Sequence, residues 1–94
     1  MAVLGFADKE TEKVFNRQFS RRLPPDIQQT ALRRLVYLNN AQSLNDLRIP
    51  PSNRLELLQG NRAGQYSIRI NQQYRICFTV RADGFDDVEI VDYH

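Results

Sequence analysis

The residues best suited to chemistry are the last three of the chain, Asp92, Tyr93 and His94. Histidine titrates near neutral pH and is the commonest general acid or base, while tyrosine and aspartate can donate, accept or orient protons. The alternative interpretation is a frayed terminus with no role, because the last residues of a domain are often poorly ordered. The tripeptide is therefore a candidate proton-transfer group that needs a partner elsewhere in the chain.

A predicted hairpin supplies that partner. Residues 66–80 alternate apolar and polar side chains on both sides of the polar segment 71–73, a pattern typical of two antiparallel strands joined by a short loop. A three-residue loop places Arg69 directly opposite Arg75. Like charges at facing positions cost stability. The pair therefore predicts an anionic ligand, such as phosphate, on that face of the sheet.

Arginine accounts for eleven of the thirteen basic residues, although the net charge is only +2. The planar guanidinium binds phosphate through two donors and stacks on bases, which lysine cannot do. A general bias toward arginine is the alternative explanation. After residue 47 every basic residue is an arginine: Arg48, Arg54, Arg62, Arg69, Arg75 and Arg81.

Length and composition exclude several classes of protein. Ninety-four residues suit one domain, 1–94, with 41% apolar and 26% charged residues. There is no apolar run of about 18 residues and no secretion signal, so we expect a cytoplasmic protein without a membrane span. One cysteine and one histidine exclude a disulfide and a Cys- or His-rich metal site, and no nucleotide-binding motif is present. We expect neither metal nor cofactor, and we interpret Cys77 as a small mid-strand residue rather than a nucleophile.

The hydrophobic pattern predicts an α+β fold of order β-α-α-β-β-β-β. Two N-terminal helices are expected to pack on one face of a mostly antiparallel sheet and to leave the other face partly open for binding. The first helix is predicted from Asp8 to about Arg21, with Phe19 on its apolar side, and the second from Pro25 to about Asn40. Strands are predicted over 2–6, 54–58, 66–70, 74–80 and 88–93.

Together these groups resemble the parts of a metal-independent ribonuclease. In such an enzyme the 2′-hydroxyl of RNA is the nucleophile. The protein removes its proton, protonates the departing 5′-oxygen and neutralises the charge of the phosphorane. Arginines suit the last task, and removing one such electrostatic contact typically costs about 3 kcal/mol of barrier.

The segments NRLELLQGNRAGQYSIRINQQYRICF and VEIVDYH, with the helical half and the DLRIPP turn, strongly resemble the HigB-type toxins. These plasmid-maintenance-killer, or host-inhibition-of-growth, proteins belong to the RelE superfamily of type II toxin–antitoxin systems. The resemblance covers essentially the whole chain and implies a RelE-like fold. It also implies a toxin, monomeric when alone, that inhibits translation by cleaving mRNA on the ribosome and is neutralised by a helix-turn-helix, HigA-like antitoxin.

Carried over position by position, the resemblance assigns two sets of site residues. The implied catalytic set is Asp92, Tyr93, His94 and Arg75. The implied RNA-binding set is Arg54, Arg62 and Arg69.

One position departs from the family pattern. Many relatives carry a catalytic lysine just before the loop glycine, where this chain has Gln59 before Gly60. A neutral amide cannot hold that charge, so we expect a slow or mild nuclease, with Arg54 or Arg62 as electrostatic substitutes. Two alternatives stay open: an RNA- or ribosome-binding growth inhibitor that does not cleave, and a plain protein-interaction module.

Overall fold

The computed structural model describes residues 1–93 and has the element order predicted from the sequence. Within this range no helix is long and apolar enough to cross a membrane. In chain order the helices and strands are β1 (Ala2–Val3), α1 (Lys9–Phe15), α2 (Pro25–Asn40), β2 (Glu56–Leu57), β3 (Tyr66–Arg69), β4 (Tyr74–Arg81) and β5 (Gly84–Asp92).

The strands form one mixed sheet in the order β1-β5-β4-β3-β2. Strand β1 runs parallel to β5, and the other neighbours are antiparallel. Both helices lie on one face, which confirms the predicted α+β architecture. The long central strands β4 and β5 therefore carry most of the sheet, while β1 and β2 are short strands at its two edges.

Helix α2 provides the helical side of the core, as its sequence predicts. Proline enters at the first turn, where its missing N–H costs no hydrogen bond. The predicted apolar stripe is buried and packs against the isoleucines of the three central strands. The residues concerned are Ile27, Ala31, Leu35 and Leu38 of α2 and Ile68, Ile76 and Ile90 of the sheet.

Helix α1 begins as predicted but ends six residues early. The Asp8 carboxylate accepts a hydrogen bond from Thr11 N at 3.0 Å, which caps the first turn. The helix stops at Phe15, and Arg17 takes a left-handed conformation with φ 62°. The prediction that Phe19 faces the core is wrong, since its side chain is 64% exposed.

The early end of α1 has a tertiary cause. Ser20 is fully buried, and its hydroxyl donates to Glu10 Oε1 at 2.6 Å. The side chain of Gln28 accepts from Ser20 N and donates to Ser20 O, at 3.0 and 2.7 Å. These bonds fix the connection between the helices in a non-helical path, so tertiary contacts override the local helical pattern.

The hairpin has the predicted register. Tyr66 faces Phe78, Ile68 faces Ile76, and Arg69 faces Arg75. The Asn71 side-chain oxygen accepts from the backbone N–H groups of the residues two and three positions later, at 2.8 and 2.7 Å. Asparagine favours turns by forming such local bonds, and here they close the loop.

Strand β5 begins at Gly84, four residues before its predicted start, and contains a bulge. Thr79 pairs with Asp86, but Cys77 pairs with Glu89, so β5 has one more residue than β4 between these pairs. Asp87 has a φ of 51°, the left-handed conformation common at such sites. At Gly84 a Cβ atom would lie 2.2 Å from Ala2 O, so glycine allows the close approach of β1.

The edge strands are shorter than predicted. Strand β1 covers two residues of the predicted 2–6 range, with an isolated bridge at Phe6. Strand β2 covers two residues of the predicted 54–58 range, because Arg54 takes a left-handed conformation with φ 46°. Leu57 is 55% exposed at this edge, whereas Leu58 is buried.

A side chain replaces a strand partner where β1 ends. Beyond the bridge at Val88, no strand among residues 1–93 pairs with the outer edge of β5. Thr11, fully buried on α1, accepts a hydrogen bond from Ile90 N through its hydroxyl at 2.9 Å. Buried backbone N–H groups need such a partner, so Thr11 fastens helix α1 to the strand that leads into the site.

Candidate functional site

The sheet face opposite the helices, here called the open face, carries the predicted arginines. It comprises the residues that alternate with the core isoleucines: Ser67, Arg69, Arg75, Cys77, Thr79, Glu89 and Val91. Three of them, Ser67, Arg75 and Cys77, are buried. The face is therefore less bare than the sequence suggests, because the segments around Arg54 and Arg62 reach over it.

Arg75 is held on three sides by protein groups. Its Nε donates to Ser67 Oγ at 2.8 Å, and its Nη2 donates to the carbonyl of Arg54 at 2.6 Å. Its Nη1 lies 3.5 Å from Glu56 Oε1. The arginine is only 8% exposed. A guanidinium fixed by several bonds is pre-organised for an anion because it loses little freedom on binding.

Tyr93 covers a further side of the same group. Arg75 Cζ lies 5.4 Å from the centroid of the Tyr93 ring, within the range of a cation–π contact. The ring is 39% exposed, so it borders the solvent side of the arginine. Two of the residues predicted as catalytic, Arg75 and Tyr93, are thus in contact.

The two facing arginines of the hairpin each bond to other groups of the protein, which reduces their mutual repulsion. Arg69 Nε donates to the Asn71 carbonyl in the loop at 3.0 Å, whereas Arg75 bonds toward Ser67 and Glu56. The two side chains have different partners, and Arg75 has a carboxylate close by. The like-charge register therefore does not by itself require an external anion, which corrects the inference drawn from the sequence.

Arg62 reaches across the open face from the loop before β3. Its Nη2 lies 3.2 Å from Glu89 Oε1, and its Nη1 donates to Gln65 Oε1 at 3.0 Å. Gln65 in turn donates to Thr79 Oγ1 at 3.2 Å. Arg62 and Gln65 therefore tie the loop to both β4 and β5.

Arg54 contributes its backbone to the site and leaves its side chain exposed. Its carbonyl accepts from Arg75, and the left-handed conformation places that carbonyl. Arg54 and Arg69 flank the fixed arginine and carry positive charge at the border of the site. Among the predicted RNA-binding residues they are the two with no carboxylate partner in the described part of the chain.

Asp92 lies on a different side of β5 from Tyr93. It pairs with Tyr74 and shares the orientation of Ile90, as the alternation of the sequence predicts. It is exposed because it lies at the end of the strand, and its Oδ2 accepts from Gln73 Nε2 at 3.1 Å. This bond joins Asp92 to the hairpin loop. His94, the remaining predicted catalytic residue, lies outside the described residues.

The sequence-based interpretation missed three polar residues of the open face. Glu56, Ser67 and Glu89 all bond to a site arginine, and none was among the site residues predicted from the sequence. Their signal was alternation: Ser67 faces Cys77, and Cys77 faces Glu89. Projecting the hairpin register onto the neighbouring strands would have found Ser67 and Glu89, whereas Glu56 depends on the exact bounds of β2.

Cys77 and Gln59, two residues discussed in the sequence, differ in their exposure to solvent. Cys77 is fully buried under this network, and burial raises the pKa of its thiol above the ordinary value. This suits a packing residue rather than a nucleophile. Gln59 is exposed and immediately precedes the short 3₁₀ turn Gly60–Arg62. In residues 1–93 no group of three or more His, Cys, Asp or Glu side chains could hold a metal ion.

Comparisons with known proteins identify the class that this fold and site define. Among solved structures, the YoeB–YefM complex from Staphylococcus aureus contains a chain with a TM-score of 0.57 and 18% identity, covering 100% of this chain and 97% of that chain. At this identity the likeness shows the fold alone.

The family follows from sequence. A family model described as a RelE-like toxin of the type II toxin–antitoxin system HigB matches residues 4–94. Toxin HigB-1 of Vibrio cholerae is 46% identical over 76 residues, which is 80% of each chain. An uncharacterized protein of Haemophilus influenzae is 39% identical over 57 residues, 61% of this chain and 56% of that protein. The chain belongs to the HigB-like toxin family, which confirms the resemblance found in the sequence.

Proposed function

We propose that this toxin inhibits translation by cleaving mRNA on the ribosome, with the RNA 2′-hydroxyl as nucleophile. The observation that carries the proposal is the buried guanidinium of Arg75, fixed by Ser67, the Arg54 carbonyl and Glu56 and faced by Tyr93. A pre-placed positive charge lowers the barrier because it needs no reorganisation when negative charge develops on phosphorus. Family membership supports the same activity.

The reaction needs a base for the 2′-hydroxyl. Glu56 is the carboxylate that adjoins Arg75 among the described residues, and its side chain is 47% exposed. It is therefore accessible to RNA while it lies next to the charge that would bind the phosphate. We propose Glu56 as the general base. It takes the hydroxyl proton as the 2′-oxygen attacks phosphorus.

The second half of the reaction breaks the bond from phosphorus to the 5′-oxygen. The departing oxygen takes a proton, and the products are a 2′,3′-cyclic phosphate and a free 5′-hydroxyl. We propose His94 as the proton donor, on its chemistry and the family resemblance. Tyr93 orients Arg75, and Asp92 assists proton transfer at the end of β5. Arg54, Arg62 and Arg69 bind the flanking RNA backbone.

The test is induction in bacteria followed by mapping of transcript ends. Wild type should arrest growth and produce new 5′ ends within coding sequence. Glu56→Gln and His94→Ala should each reduce cleavage by about a hundredfold or more, because a positioned acid or base typically contributes that much. Arg75→Lys is preferred to Arg75→Ala, since it keeps a charge in the buried position. If all three variants cleave like wild type, the proposed site is wrong.

A second candidate function is growth inhibition without cleavage. One observation favours it: Gln59 is neutral where many relatives carry a catalytic lysine. The toxin would then occupy the ribosome through its arginines. Growth arrest with intact transcripts, and ribosome binding that weakens steeply with salt, would support this candidate.

We also propose a cognate antitoxin of the helix-turn-helix class. Membership of a toxin–antitoxin family supports a protein partner, and the S. aureus YoeB chain was solved in complex with YefM. The inexpensive test is the neighbouring open reading frame. Its product should bind this chain and restore growth when both are expressed. A neighbour without either effect would contradict the proposal.

A further inference from the structure

Three arginines of the hairpin and of the loop before it pair with carboxylates in the free protein. Arg62 pairs with Glu89 at 3.2 Å, Arg75 with Glu56 at 3.5 Å, and Arg81 with Asp86 at 3.3 Å. A phosphate that binds one of these three arginines through the same donors must therefore exchange with a carboxylate. The question is which of these pairs is built to exchange.

The pair of Arg62 and Glu89 has the geometry for exchange. One nitrogen of the guanidinium, Nη1, is held by Gln65, which is itself bonded to Thr79 on β4. The other nitrogen, Nη2, bonds to Glu89 on β5. Arg62 can therefore change its acidic partner at Nη2 while Gln65 keeps the side chain across the sheet. The pair is also reachable, since its side chains are 33% and 30% exposed.

We propose that Glu89 is an internal competitor of RNA phosphate for Arg62. In the free protein Glu89 holds the arginine across the open face, and on binding it yields the arginine to a backbone phosphate. Carboxylate and phosphate oxygens accept from the same guanidinium donors, so the exchange conserves the hydrogen bonds of Arg62. Glu89 is thus a positioning residue that also limits affinity. This inference rests on the proposed function, because it requires RNA as the ligand.

The strength of the pair fits such a role. Partly exposed ion pairs contribute little net stability, because water screens them and their side chains lose freedom. A phosphate of similar charge can therefore displace Glu89 without a large cost. Removal of the Glu89 charge should consequently favour the bound state and leave the free fold nearly unchanged.

A purely structural role for the pair makes a different prediction. If the pair only fastens the loop before β3 to the sheet, Glu89→Gln should loosen the loop and weaken RNA binding or leave it unchanged. A general field effect makes a third prediction, namely that removal of any carboxylate tightens binding equally. Glu12→Gln on the exposed side of α1 is the matched control for that effect.

The experiment measures binding to ribosomes programmed with an mRNA whose A-site codon carries 2′-O-methyl groups, so that cleavage cannot occur. Wild type, Glu89→Gln, Arg62→Gln, the double variant and Glu12→Gln are compared at two salt concentrations. Thermal unfolding of each variant checks that the fold is retained. Glu89→Gln should tighten binding by about twofold to fivefold, and Glu12→Gln should not. In the Arg62→Gln background, Glu89→Gln should have no effect beyond that of the control.

Two results would overturn the inference while leaving the proposed function intact. One is that the Glu89→Gln variant binds programmed ribosomes no more tightly than the Glu12→Gln variant does. The other is that Glu89→Gln increases the affinity for ribosomes by the same factor in the wild-type and the Arg62→Gln backgrounds. If wild type does not bind programmed ribosomes at all, the proposed function itself fails, and the inference fails with it.

Discussion

The ring of Tyr93 lies over the guanidinium of Arg75, with 5.4 Å between Cζ and the ring centroid. This contact joins the end of β5 to the middle of the hairpin and completes the enclosure of a buried arginine. Ser67, Arg54 and Glu56 contact its other sides. The site is thus a fixed cation at the meeting point of three strands and one loop, with the tyrosine at its solvent side.

Tyr93→Phe and Tyr93→Ala separate the ring from the hydroxyl. We expect Tyr93→Phe to keep the cation–π contact and the position of Arg75, so binding of uncleavable programmed ribosomes should be unchanged. Tyr93→Ala should weaken that binding by about twofold to fivefold, because an exposed contact of this kind is worth about 0.5–1 kcal/mol. Equal binding by Tyr93→Ala and wild type would show that the ring does not position the arginine.

Gln59→Lys restores the charge that many relatives carry before the loop glycine. Gln59 is exposed beside Gly60, so a lysine fits without repacking. We expect cleavage in the programmed ribosome to rise by about tenfold or more, since one well-placed electrostatic contact is worth a few kcal/mol of barrier. Gln59→Met is the neutral control of similar length and should leave cleavage at the wild-type rate. A Gln59→Lys variant no faster than Gln59→Met would show that this position does not limit the enzyme.

Thr11→Val tests the side chain that replaces a strand partner on β5. Valine has nearly the same shape but cannot accept the hydrogen bond from Ile90 N, which would be left buried and unpaired. We expect the free energy of unfolding to fall by about 1–3 kcal/mol. Thr11→Ser keeps the hydroxyl and should lose less. Chemical denaturation measures both, and a valine variant as stable as the serine variant would contradict the assignment.

Cys77 should be inert and dispensable for activity. Burial raises the pKa of its thiol, so a thiol reagent should label the native protein slowly and the unfolded protein fast. The unfolded thiol ionises first as pH rises past about 9, so the unfolded state then binds fewer protons and the free energy of unfolding falls. Cys77→Ala should remove this decline and keep wild-type cleavage. Fast labelling of the native protein would contradict the burial argument.

Features set by a local pattern, within one helix or between two strands joined by a short loop, were predictable from the sequence. The hairpin register followed from strict alternation on both sides of a polar loop, and it placed Arg69 opposite Arg75 correctly. The second helix followed from its apolar stripe and its proline start. In both cases the local pattern and the tertiary contacts agree, which is the condition under which sequence rules hold.

Features that depend on contacts between distant segments were not predictable. The end of α1 is set by Ser20 and Gln28, which no local rule connects, and Phe19 is therefore exposed instead of buried. The contact of Glu56 with Arg75 depends on a two-residue edge strand. The hydrogen bond from Arg75 to the Arg54 carbonyl depends on the backbone conformation of Arg54. Such placements require the register of neighbouring strands and loops, which periodicity does not supply.

The extra residue in β5 divides that strand into two halves of opposite phase. Before Asp87 the odd-numbered Phe85 faces the helices, and after it the even-numbered Val88 and Ile90 do so. Since side chains alternate with a period of two, pairing the same sequence without this bulge would exchange inside and outside for the rest of the strand. Either Glu89 and Tyr93 would turn toward the helices, or Phe85 would leave the core. The bulge thus absorbs the extra residue, so that Phe85, Val88 and Ile90 stay in the core while Glu89 and Tyr93 lie on the open face.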